Sequence, residues 1–167
     1  ESSPYLLDLV GGDFIIRERE TDEILARNIW FERKPRWYDM RTKDGTQMGA
    51  IAQGQGRMIF VTMNKFCEMW NKDQQCLFCN INATLKDQKS GGEDMVARIE
   101  PEVIADTVKT ALEVDSHHSI LYITGGTILK KYRGQTELEF YITRLNALRE
   151  KLQVWIPTTV QVAAYDD

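Results

Sequence analysis

The chain has 167 residues, 43% of them hydrophobic and 28% charged, with a mean hydropathy of −0.40. That excludes a disordered tail, which is too poor in apolar residues to fold, and a linker or fibre, which is richer in Pro and Gly. The length suits one domain with a real core, and 21 Lys and Arg against 25 Asp and Glu give a net charge of −4, with no basic excess to draw nucleic acid or an anionic membrane surface.

No apolar stretch approaches the roughly 20 residues of a membrane helix, and no basic-then-apolar export signal stands at the start. From the N-terminus, Leu6–Val10 reads as a strand or short helix, Gly11-Gly12 as a turn and Phe14–Ile16 as a strand. Asp22–Trp30 carries a weak helical stripe of Ile24, Leu25 and Ile29. Residues 33–49 read as loop or turn. Their bases and aromatics (Arg33, Lys34, Arg36, Trp37, Tyr38) are of the kind that binds single strands, but neighbouring acids balance them. Trp30, Trp37 and Tyr38 are candidates for a contact surface or for packing onto the remainder.

A regular alternation starts near Arg57. Met58–Met63 is a nearly continuous apolar run of the kind buried parallel strands show. The cysteines follow it, and residues 86–94 read as a polar loop. Glu100-Pro101-Glu102 opens a helix that keeps its period to about Val114, with Pro in the first turn and acids at the positive end of the dipole. Ser119–Thr124 is the next strand, ended by Gly125-Gly126. Thr136 and Glu139 fit a capping box before a helix carrying Leu138, Tyr141, Ile142, Leu145, Leu148 and Leu152. Pro157 ends that helix, and Thr159–Ala164 reads as the third strand. Strand–loop–helix repeated in this way predicts an α/β layer with right-handed crossovers.

All three cysteines, Cys67, Cys76 and Cys79, lie just past the first of these strands, spaced C-x8-C-x2-C. An odd, clustered set is no disulfide framework and favours reduced thiols that bind a metal. A structural zinc site takes four ligands; His117 or His118 would have to complete it, yet both precede the second strand and so fall at the opposite sheet edge. Ordinary buried thiols are the bland alternative. Three thiolates also suit a cubane iron–sulfur cluster with one iron left without a protein ligand.

Cys76-Leu77-Phe78-Cys79 resembles the Cys-x-aromatic-Cys end of the radical S-adenosylmethionine motif, and Tyr122–Thr127 stands where that family carries a Gly-Gly-Glu-like segment. The resemblance covers about residues 57–165. It implies a parallel (β/α) partial TIM-type barrel of which about the first three strands are present (57–167, the front half of a longer protein), preceded by an N-terminal extension (1–56, α+β) that covers the barrel or contacts a partner. It implies further that Cys67, Cys76 and Cys79 hold a 4Fe–4S cluster, and that Phe78, Gly125, Gly126 and Thr127 hold S-adenosylmethionine. The implied reaction is reductive cleavage of that cofactor to methionine and a 5′-deoxyadenosyl radical, which takes hydrogen from a substrate carbon.

Two features depart from the family pattern: eight residues rather than three separate the first two cysteines, and Thr127 replaces the acid. Gln161 and Tyr165 either face the same pocket or are a strand-end polar residue and a core aromatic. The expected partners are a small-molecule or protein-bound substrate and a low-potential electron donor such as a ferredoxin or flavodoxin, with no membrane or nucleic acid, in the cytoplasm. The rival readings are a non-catalytic zinc or interaction module using the same cysteines, and an electron-transfer iron–sulfur protein, which would normally supply a fourth cysteine.

Overall fold

The computed structural model describes residues 3–92 and 97–162 and divides into two compact units, Glu1–Lys34 and Pro35–Asp167. The first unit is an antiparallel meander of β1 (Tyr5–Val10), β2 (Asp13–Glu18) and β3 (Ile24–Ile29). Gly11 and Gly12, both at positive φ (62° and 93°), form the two-residue turn of the first hairpin, and Val10 pairs with Asp13 across it. Only a primed turn matches the strand twist in so short a loop, and type I′, the form found here, demands positive φ at both positions. The weak helical stripe at 22–30 is overturned: this segment is β3, paired with β2 through an irregular register. Three apolar positions carry little helical bias, and the ladder to β2 supplies the hydrogen bonds that a lone helix would have made for itself. Arg17, on β2, is ion-paired with Asp8 (2.9 Å) and Asp22.

In the second unit a four-stranded sheet has the order β4 (Ala52–Gln55), β5 (Met58–Asn64), β6 (Ile120–Gly125) and β7 (Thr158–Val160). β5, β6 and β7 are parallel, but β4 is antiparallel to β5. The expected parallel (β/α) TIM-type barrel is therefore incorrect: the described residues form an open, mixed sheet, with a separate three-stranded antiparallel sheet in the first unit, and no closed barrel among them. The cause lies in the hairpin ahead of β5. Gly56 at φ 54° turns the chain back in two residues, so β4 takes the edge of β5. Gly54 suits that edge because a Cβ there would lie 2.9 Å from His118 Cε1 and 3.0 Å from Pro35 Cγ.

The helices are α1 (Ile81–Ser90), α2 (Pro101–Val114) and α3 (Glu137–Leu152). α2 falls where Pro101 and its periodicity place it, and α3 where its capping box and periodicity do. α1, by contrast, covers most of the segment read as a polar loop, and only Leu85 on it is buried. Residues 93 and 94 of that expected loop lie outside the described residues. The core joins Ile59, Val61 and Met63 of β5 to Leu121 and Ile123 of β6, Ile104 and Val108 of α2, and Phe140, Tyr141 and Leu148 of α3. Trp37, Met48, Ile51 and Ala52 belong to it as well, and Trp37 is fully buried. Segment 33–49 is thus core as well as loop, with 3-10 turns at Arg36–Asp39 and Met48–Ala50. β7 (Thr158–Val160) overlaps the expected third strand, Thr159–Ala164, only at Thr159 and Val160; Gln161 and Val162 are not strand, and 163–167 lie outside the described residues. Among the described residues, no helix is long and apolar enough to cross a membrane.

Candidate metal centre

Parallel pairing of β5 with β6 brings Asn64 opposite Gly125, so the cysteine segment and the glycine pair leave the sheet at the same edge. In parallel α/β sheets this C-terminal edge is where ligands bind, since loops vary there on rigid strands. Asn64 is fully buried and fastens the two exits together. Its Nδ2 donates to Gly126 O (2.6 Å), its Oδ1 accepts from the Phe66 N–H (3.2 Å), and its carbonyl accepts from the Gly126 N–H (2.8 Å).

Cys67 follows, half-buried and held on every side. A Cβ on Gly126 would lie 2.6 Å from Cys67 Cα and 2.7 Å from its N, so only glycine lets the strand end pass beneath the cysteine. Gly125 likewise leaves room for the Asn64 backbone and the Tyr141 hydroxyl. Both glycines therefore serve the protein's own packing, which is a reason for them independent of any bound cofactor. The Thr127 N–H donates to Cys67 Sγ (3.4 Å), and the Glu68 N–H donates to Thr127 O (2.9 Å).

Glu68, the next residue, is the principal clamp. Its Oε2 accepts from the N–H groups of Leu129 (2.8 Å) and Lys130 (2.9 Å), and its Oε1 pairs with Arg98 Nη2 (2.9 Å). The Arg98 guanidinium lies over the Tyr132 ring at 4.5 Å. Asn82 on α1 brackets Cys67 from the other side: its Oδ1 accepts the Cys67 N–H (2.7 Å) and its Nδ2 donates to the Cys67 carbonyl (3.0 Å).

The rest of the loop is more open. A 3-10 turn, Glu68–Lys72, ends at Asp73 in the left-handed region (φ 53°). Cys76 is exposed, Cys79 is half-buried, and the Cys79 N–H closes a tight turn onto Cys76 O (3.0 Å). Phe78 is 91% exposed. Among the described residues, no three His, Cys, Asp or Glu side chains are gathered to hold a metal ion. The fold thus brings Cys67, Gly125, Gly126 and Thr127 together and leaves Cys76 and Phe78 facing outward on the same loop.

The residues supply the donor chemistry of an iron–sulfur cluster, although among the described residues their side chains are not gathered as a ligand set. Three thiols lie on one loop at a ligand-binding sheet edge, and a backbone N–H is already aimed at the first sulfur. Two buried atoms of the loop, Trp70 Nε1 and Gln75 Oε1, have no hydrogen-bond partner among the described residues. Hydrogen-bonding capacity therefore remains there for a bound group.

The histidines stand apart. His118 is buried near the start of β6, where it accepts from Trp37 Nε1 (3.3 Å) and its Nδ1 faces Gly56 O (3.1 Å), so it lies at the opposite strand end from the cysteines. Gln161 accepts from the Tyr122 hydroxyl (3.0 Å) beyond β7, and Tyr165 lies outside the described residues.

Sequence reasoning missed Asn64, Glu68, Asn82 and Arg98. Their partners include chain positions 15 to 62 residues away, and no spacing in the sequence encodes such bonds. No protein-family model, no curated protein and no solved structure matches this chain.

Proposed function

We propose that the chain belongs to a radical S-adenosylmethionine enzyme, with Cys67, Cys76 and Cys79 as ligands of a 4Fe–4S cluster. The supporting observation is the seam at the shared end of β5 and β6, where Cys67 rests on Gly126 and its sulfur accepts the Thr127 N–H. When bound, such a cluster supplies the electron that cleaves a carbon–sulfur bond of S-adenosylmethionine, the source of the 5′-deoxyadenosyl radical.

The chain's own residues position and shield. Asn64, Glu68 and Asn82 fix Cys67 and the 126–130 segment relative to one another, so one ligand and one wall of the site are set before anything binds. Phe78 offers an apolar face beside two ligands, suited to cover an adenine, while Gly125, Gly126 and Thr127 present backbone groups for the methionine end. The cofactor's substrate is a small or protein-bound molecule, and a low-potential ferredoxin or flavodoxin is the electron donor. Reduced thiols suit the cytoplasm.

Anaerobic reconstitution with ferrous iron and sulfide should give a brown protein containing acid-labile sulfide. Dithionite and S-adenosylmethionine should then yield 5′-deoxyadenosine on chromatography. Replacing any one of the three cysteines by Ala should abolish both the absorbance and the product. A colourless, sulfide-free protein carrying zinc would overturn the reading.

A further inference from the structure

We infer that Asn82 is the positioning residue of this centre: it closes the long cysteine loop by holding Cys67 against the start of α1, beside Cys79. This rests on the cluster reading only for the identity of what the thiols bind.

Eight residues separate Cys67 from Cys76, and two more separate Cys76 from Cys79. The last two thiols are coupled locally by the Cys79 N–H to Cys76 O turn. Nothing so local ties Cys67 to either of them. In the unfolded chain an interval of this length has many conformations, and gathering its ends carries an entropic cost that rises with its length.

Asn82 meets that cost within the fold. It lies three residues past Cys79, in the first turn of α1, whose start is marked by the Thr84 N–H bond to Asn80 O (2.8 Å). From there its amide grips both backbone polar groups of Cys67, at 2.7 and 3.0 Å. Asparagine alone among similarly shaped side chains offers an acceptor and a donor side by side. Aspartate at neutral pH offers only acceptors, and leucine neither.

A purely packing role does not account for the arrangement. α1 buries a single side chain, Leu85, so the helix has little apolar hold on the sheet. The Asn82 bracket is instead a polar link to the one residue that also carries the Thr127 N–H bond on its sulfur. Fixing Cys67 and α1 together therefore fixes the first thiol relative to the Cys76–Cys79 turn, by a route separate from the Glu68–Lys72 turn between them.

The test reads thiol proximity without any metal. In the full chain carrying Cys76→Ser, dibromobimane, which fluoresces only when both arms have alkylated, reports cross-linking of Cys67 to Cys79. Asn82→Leu should lower the cross-linked fraction at least fivefold, and Asn82→Asp, which keeps the bond to the Cys67 N–H, should fall between. Circular dichroism should remain unchanged in both. With Cys76 restored, Asn82→Leu should take up less iron and sulfide than the parent and give a broadened electron paramagnetic resonance signal after reduction.

Cross-linking at the parent level in Asn82→Leu, or in Asn82→Asp should the leucine variant fail to fold, would overturn the inference. Asn82-dependent cross-linking in the Cys76→Ser chain, together with no uptake of iron or sulfide by the chain with all three cysteines, would overturn the cluster reading while upholding the placement of the thiols.

Discussion

Gly126 lies directly beneath Cys67, so close that a methyl group on the glycine would sit 2.6 Å from the cysteine Cα. Backbone atoms cannot yield as a flexible side-chain tip can. Gly126→Ala should therefore shift the Cys67 segment and cost about 1–3 kcal/mol, as overpacking does elsewhere. Gly91→Ala is the control: its Cβ would make ordinary contacts at 3.5 Å, and its effect should stay within about 0.5 kcal/mol. Urea unfolding of the two variants checks the contrast. Equal midpoints would show that the seam at Cys67 is looser than described.

Glu68 joins three stretches of chain with one carboxylate, and both it and Arg98 are largely withdrawn from solvent. Glu68→Ala leaves the Arg98 charge without its partner and removes the acceptor for two N–H groups, for a loss of about 2–3 kcal/mol. Glu68→Gln keeps one oxygen and should lose about half as much. Denaturant unfolding gives the order. If Glu68→Ala matched the parent, the carboxylate would be an exposed, screened group rather than a clamp.

At α3, Thr136 and Glu139 form a complete capping box: Thr136 Oγ1 accepts the Glu139 N–H (3.3 Å), and the Glu139 carboxylate accepts the Thr136 N–H (2.7 Å). Thr136→Ala should cost about 1 kcal/mol, a fall of about 2–4 °C in Tm for a chain of this size. The Thr136 backbone N–H, followed by its hydroxyl, holds the Glu139 carboxyl below its ordinary value of 4.5. A carboxyl lowered in the folded state stabilises above that ordinary value, and the contribution is lost as pH falls through the lowered native one. Glu139→Ala should thus melt below the parent at pH 7, with the gap closing below pH 4.5. A gap that stayed constant with pH would remove the carboxylate from the account.

Much of the framework could be read without coordinates. Pro101 in a first turn, the Thr136–Glu139 box and the 3.6-residue spacing of Val108, Ala111 and Leu112 are local signals, and α2 and α3 fall where those signals put them. The apolar run at Met58–Met63 marked a buried strand for the same reason, and the placing of the cysteines after it followed. The segments that misled were those whose local signal was weak or shared. Ile24, Leu25 and Ile29 fit a helix as well as a strand until β2 offers a ladder. The polar residues of α1 look like a loop because only Leu85 is buried.

The amino-acid order by itself determined helices α2 and α3, the buried strands and the placing of three thiols on one loop, because each depends on residues within a few positions of one another. The tertiary structure decided that β4 turns back antiparallel and leaves the sheet open. It also decided that Gly126 passes under Cys67, and that Glu68 and Asn82 hold the cysteine from two sides. Those contacts join residues far apart in the chain, where close approach and paired donors exist only after the strands have brought them together.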